Sequence, residues 1–154
     1  MSNRQLLGQW QVFMMWTERP DLEPPCNLHS SLLFIRGQEH IICHVVPDQE
    51  RYTFRWTFKP DSTDPYRTLS VHPLCFLQVF IDARTLIRTL IEVHRPTLAQ
   101  DPEYSCKKWV NEVLFKFNLR DWITHCDWRH ACDCQSSIET DTVARCHVGG
   151  RGEM

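Results

Sequence analysis

Glycine is scarce in this chain, five of 154 residues, and no segment repeats at a fixed period. Collagen-like and repeat architectures are thereby excluded. No sign of charge dominates either: 17 basic residues against 19 acidic ones leave a formal net charge of -2. A phosphate backbone or an anionic lipid surface would find little to bind, so nucleic acid is not an expected partner. Long hydrophobic runs are missing too. The longest, Ser31 to Ile35 and Ile41 to Val46, fall far short of the roughly 20 residues a membrane helix requires, and no membrane span is expected. The opening MSNRQLLGQWQVFMMW has neither a clean apolar run nor a small-residue cleavage site. A cytoplasmic, reducing setting is therefore the expectation, in which the eight cysteines serve as thiols, thiolates or metal ligands rather than disulfides.

What is present is enough apolar material, 42% of residues, to build one packed core. Short β-rich stretches, Gln9–Thr17, Leu28–Ile35, Ile41–Val46 and Tyr52–Phe58, are separated by Pro20, Pro24 and Pro25, by a turn at Gly37, and by Pro47 and Asp48. In the last of them Tyr52, Phe54, Trp56 and Phe58 alternate with Thr53, Arg55 and Thr57, which predicts a strand with one wet face. Arg67–Val71 is read as a short fifth strand. The period then changes. Phe76, Phe80, Ala83, Ile87 and Leu90 fall at helical spacing, and Ser105 is an N-cap candidate ahead of an apolar stripe of Trp109, Val110, Val113, Leu114 and Phe117 running to about Leu119. The predicted architecture is an α+β domain over residues 1–123, an antiparallel sheet of four to five strands covered by two C-terminal helices, followed by a poorly ordered Cys/His-rich tail over 124–154.

Among the thiols, Cys106 is singled out by position, one residue after the candidate cap and next to Lys107 and Lys108. Unpaired N–H groups and the positive end of a helix dipole stabilise a thiolate, so its pKa is expected below the free value of about 8.5. The competing reading is a small buried residue at a helix start. A nucleophile also needs a base and a group that orients the base. His29 opens the second strand, and His40 and His44 share one face of the third, so antiparallel pairing can bring an imidazole pair to one pocket. His29 is the expected general base and His44 the orienting or polarising group.

The segments LHSSLLFIRGQEHIICHVV and YSCKKWVNEVLFKF place a histidine at a strand start, a turn, a polar position on the next strand and, much later, a cysteine opening an amphipathic helix. That order resembles circularly permuted papain-like domains, the lecithin:retinol acyltransferase-like thiol hydrolases among them. It is also similar to small fungal proteins with a CNHW-like motif before a strand and a GCRFW-like motif at a late helix, matched here by Cys26, Asn27, Leu28 and His29 and by Ser105, Cys106, Lys107, Lys108 and Trp109. The first motif departs: Leu28 stands where the fungal pattern has His, and His29 where it has Trp. A shift of one strand position turns a side chain to the opposite face. The resemblance implies cysteine-dependent acyl transfer or hydrolysis on an ester, thioester or amide of a small molecule or peptide, without a cofactor.

Two further constellations compete. Trp10 and Trp16, on one face of the first strand, with Phe54 or Trp56 opposite, can line an aromatic pocket. That pocket would suit a cofactor-free binding protein, cyclase or isomerase of fungal secondary metabolism. His125, Cys126, His130, Cys132, Cys134, Cys146 and His147 supply zinc-type ligands, but Cys132 and Cys134 form CxC rather than the usual wider pairing, so no metal site is expected.

Overall fold

The computed structural model describes residues 8–18, 20, 28–58, 67–97, 99–101 and 104–136. Its strands are β1 (Gln11–Glu18), β2 (Leu28–Arg36), β3 (Glu39–Asp48), β4 (Arg51–Thr57) and β5 (Arg67–Phe76), and its helices are α1 (Ala83–Ile91), α2 (Cys106–Leu119) and α3 (residues 125–136). All strand pairings are antiparallel, in the order β4-β3-β2-β1-β5. The α+β prediction, with a five-stranded sheet and late helices, describes this fold.

Alternation along the strands decides which side chains face the helices. Trp10, Val12, Met14 and Trp16 on and beside β1, Leu32 and Phe34 on β2, and Ile41, Cys43 and Val45 on β3 share one face and one core with Leu86 and Leu90 of α1 and Trp109, Val113 and Phe117 of α2. Ring contacts tie the layers together, Phe34 to Phe117 at 6.2 Å between centroids and Phe54 to Trp109 at 5.7 Å. Truncating one such buried aromatic costs roughly 3–5 kcal/mol. On β4 the expected alternation holds from Tyr52 to Arg55, with Tyr52 and Phe54 half-buried and Thr53 and Arg55 exposed, but it fails beyond, where Trp56 and Phe58 are exposed and Thr57 is half-buried.

The β2–β3 connection is a two-residue turn, Gly37-Gln38, with Gly37 at φ 60°. Positive φ at the first turn position suits glycine and closes the hairpin with the right twist. Arg36, at the end of β2, stacks over Trp10 at 4.2 Å and donates to the Ile81 carbonyl at 2.6 Å, while the Trp10 indole N–H donates to the same carbonyl at 2.9 Å. This knot fixes the hairpin against the segment leading into α1.

Two elements differ from the sequence expectation. Phe76 and Phe80 are not helical: β5 runs on through Phe76, and α1 starts only at Ala83, after Asp82 caps it by accepting from the Thr85 N–H at 2.7 Å. Pro73 lies within β5, which pairs only with β1 and carries register shifts, a setting that tolerates a missing N–H. Packing also continues past Ile123. Residues 125–136 are helical, with Ala131 and Gln135 buried and Trp128 against Phe115 at 5.6 Å. Positions 128, 131, 132 and 135 do follow helical spacing, but with one small and one polar residue among them the apolar signal is weak.

Candidate functional site

The β2–β3 ladder runs from Arg36↔Glu39 to Leu32↔Cys43 and stops there, while β3 continues beside β4 and β2 beside β1. A two-residue turn makes Arg36↔Glu39 a mutually bonded pair, so alternation aims the N–H groups of Phe34, Leu32 and Ser30 toward the same edge of β2. At Ser30 that edge no longer meets β3. Its N–H donates instead to the sulfur of Cys106, at 3.5 Å, so a thiol stands where a strand carbonyl would otherwise be.

Cys106 arrives there as the first residue of α2. Ser105 has extended backbone, φ -152°, and its hydroxyl accepts from the Lys108 N–H at 3.4 Å, the N-cap bond predicted from the sequence. Lys107 lies with its ammonium 5.7 Å from the Trp16 ring centre, and Lys108 pairs with Asp101 at 3.3 Å.

The histidines meet across the parted strands. His29 Nε2 and His44 Nδ1 are 2.7 Å apart, and their rings stand edge to face with centroids 4.8 Å apart. One of the two nitrogens must donate. His29 follows the pleat to the face opposite Ser30, but main-chain N–H groups lie in the plane of the sheet. The sulfur therefore sits at the open edge of β2. With the sulfur 3.5 Å from Ser30 N, covalent geometry holds it within about 6 Å of the His29 Cα. His40, by contrast, is exposed beside the hairpin turn, opposite Ile35.

Electrostatics correct one expectation. The Cys106 thiol is pushed above its ordinary value, because burial, at 8% exposure, outweighs the donors around it. The Ser30 N–H and hydroxyl, the Lys107 ammonium and the Lys107 N–H all pull in the opposite direction. No other buried or half-buried thiol with a shifted pKa has such opposition. Cys43 and Cys134 are raised by burial alone, and Cys75 and Cys132 by burial and then a neighbouring aspartate. His29 is pushed down to about 3, first by burial and then by His44. At neutral pH the site holds an uncharged thiol and an uncharged imidazole.

The aromatic candidates do not gather. Trp10 and Trp16 are fully buried in the core, Phe54 is half-buried against Trp109, and Trp56, 43% exposed, stacks edge-on with Phe58 at 5.0 Å. Trp56 and Phe58 line an open groove of about 410 Å³ with Ala83, Arg84, Ile87, Arg88 and Ile91 of α1. Of the zinc-type ligands, His125, Cys126, His130, Cys132 and Cys134 lie on α3, and no group of three His, Cys, Asp or Glu among the described residues is placed to hold a metal ion. Cys146, His147, Cys26 and Asn27 lie outside the described residues.

Ser30, whose N–H holds the sulfur, was not predicted as a site residue. Ser30 and Ser31 are polar residues in an otherwise apolar strand, and that interruption is the sequence signal for them. No helix among the described residues is long and apolar enough to cross a membrane. No family model, no curated protein and no solved structure matches the chain.

Proposed function

We propose that the chain is a cysteine-dependent acyltransferase or hydrolase acting on an ester, thioester or amide of a small molecule or peptide, with Cys106 as nucleophile, His29 as general base and His44 as the residue that orients it. The observation that carries this reading is the bond from Ser30 N–H to Cys106 Sγ, because it tethers the sulfur to the residue that follows His29, which is itself joined to His44.

The chemistry follows from the protonation states. With Nε2 engaged by His44, Nδ1 of His29 is the ring atom that exchanges a proton with the thiol. The thiol proton passes to Nδ1 as Sγ bonds to the acyl carbon, and the electron pair of the carbonyl moves onto oxygen. Collapse of the tetrahedral species breaks the bond to the leaving group, which takes the proton from the imidazolium. Water, or an acceptor hydroxyl or amine, then gives a proton to His29, attacks the thioester and frees Cys106. The Ser30 N–H, its hydroxyl and the Lys107 N–H steady the sulfur whenever it carries charge.

The test is capture of the acyl-enzyme. The full chain is incubated with p-nitrophenyl acetate and analysed by intact and peptide mass spectrometry. One acetyl group on Cys106, absent from Cys106→Ala and strongly reduced in His29→Ala, is the expected result. Acetylation spread over surface residues, and unchanged in Cys106→Ala, would overturn the assignment.

A further inference from the structure

Three large apolar side chains that fold with substantial exposure meet in the groove between β4 and α1. Trp56, opposite Cys43 and so on the helix-facing side of β4, and Phe58 just beyond it stand edge to face at 5.0 Å. They are 43% and 51% exposed, and Ile91 at the end of α1 is 47% exposed. Ala83 and Ile87 complete the apolar lining of the 410 Å³ volume, which is within the range of small-ligand sites. Positions 83, 87 and 91 recur every fourth residue, so they form one row along the helix, about 12 Å long at roughly 1.5 Å per residue. A zigzag hydrocarbon chain advances roughly 1.25 Å per carbon, and about ten carbons match that row.

The rim of the groove is cationic. Arg84 and Arg88, both exposed, form the row beside the apolar one and belong to the same lining, which holds no acidic side chain among the described residues. One helical turn apart, the two guanidiniums repel each other, and neither is joined to a carboxylate of the described residues. The acids nearest in sequence are engaged elsewhere. Asp82 caps α1 through the Thr85 N–H, and Glu92, the one acid spaced along the helix to pair with Arg88, lies 3.9 Å from Lys116 and 4.0 Å from Arg120. Guanidinium groups bind a carboxylate through paired N–H donors, so an apolar row with two of them along its edge is complementary to an anion that carries a hydrocarbon chain.

We propose that the groove between β4 and α1 binds a medium-chain carboxylate, its chain along Ala83, Ile87 and Ile91 against Trp56 and Phe58, and its carboxylate held by Arg84 and Arg88. Binding there involves neither Cys106 nor the histidine pair, so it stands or falls independently of acyl transfer. A groove of this volume suits a single free ligand rather than a bilayer, and a net charge of -2 gives an anionic membrane no general attraction.

The test compares two probes that share a chain and differ in charge. Decanoate and decan-1-ol are titrated into the full chain at pH 7.5 by calorimetry, and decanoate is expected to bind about tenfold tighter or more, the gain of a charge-assisted contact. The double variant Arg84→Gln/Arg88→Gln should erase that preference while decan-1-ol binding persists, and Ile91→Asp should weaken both probes. Removing the like-charge pair should leave the Tm of the free protein unchanged or higher, which separates a binding role from a structural one. Arg55→Gln, an exposed arginine on the opposite face of β4, should change nothing. Equal affinity for the two probes, a preference that survives in the double variant, or an equal loss in Arg55→Gln would overturn the site. Two other occupants would overturn it as well: a dimer in sedimentation velocity that Ile91→Asp dissociates, or sedimentation with phosphatidylcholine–phosphatidylserine vesicles that the double variant abolishes.

Discussion

The strands β2 and β3 are joined at one end and parted at the other, and the two ends are built from different residues. Between Leu32 and Arg36 on β2, apolar side chains alternate across a continuous ladder to β3, and Phe34, fully buried, packs on Phe117. Between Leu28 and Ser31 the strand is still buried, yet it carries a histidine and two serines, and its outer N–H meets a thiol. The joined half makes the hairpin stable. The parted half gives up ladder bonds, and the N–H freed by that loss holds the Cys106 sulfur while His29 meets His44.

The largest separation of the two halves is expected from Cys106→Ala. Loss of the nucleophile should lower acyl transfer by about 10⁴-fold or more, measured with a p-nitrophenyl ester, while the urea midpoint moves little. Retained turnover would erase the distinction. Phe34→Ala should do the opposite, costing roughly 3–5 kcal/mol in urea unfolding through the cavity it leaves, with folded protein at low temperature still forming the acyl-enzyme.

An intermediate effect comes from pH. His29 has a folded pKa near 3 against about 6.5 when unfolded, so between those values the unfolded chain binds a proton that the folded chain refuses. Stability is complete above about pH 6.5 and falls as pH drops toward 3, by up to about 1.4 kcal/mol per pH unit. His29→Gln should flatten that slope in urea titrations from pH 7 to pH 4, and an unchanged slope would show that the imidazole is already solvated. The smallest effect is on the cap: Ser105→Ala should cost about 1 kcal/mol. In iodoacetamide labelling read by peptide mass spectrometry, exposed Cys126 should react before Cys106, and Cys106 before Cys43, whose sulfur is fully buried and without the opposing donors.

Much of the fold was legible because periodicity and punctuation agreed. Ser105 marked the start of α2, and the alternation from Tyr52 to Thr57 marked β4. The misreadings arose where two signals coincided. Phe76 and Phe80 fall at helical spacing relative to Ala83, but only Asp82 offers a cap, and the backbone obeys the cap. Of the site, the residue types and their order could be read, and so could the cap beneath Cys106. Burial could not: a helix N-terminus and two lysines argue for a low thiol pKa, and only the packed neighbourhood reveals a desolvation cost that exceeds them. The opening of the ladder at Leu32 is equally invisible in one dimension.

Ser30 and Cys106 are separated by 76 positions, while the hairpin that carries both histidines closes over a two-residue turn. Local closures come early in folding and long loops late. During synthesis the histidine pair therefore emerges and can register before residue 106 has left the ribosome. On the proposed mechanism, activity begins only with the docking of α2, and a chain interrupted before that point carries the histidine pair without Cys106.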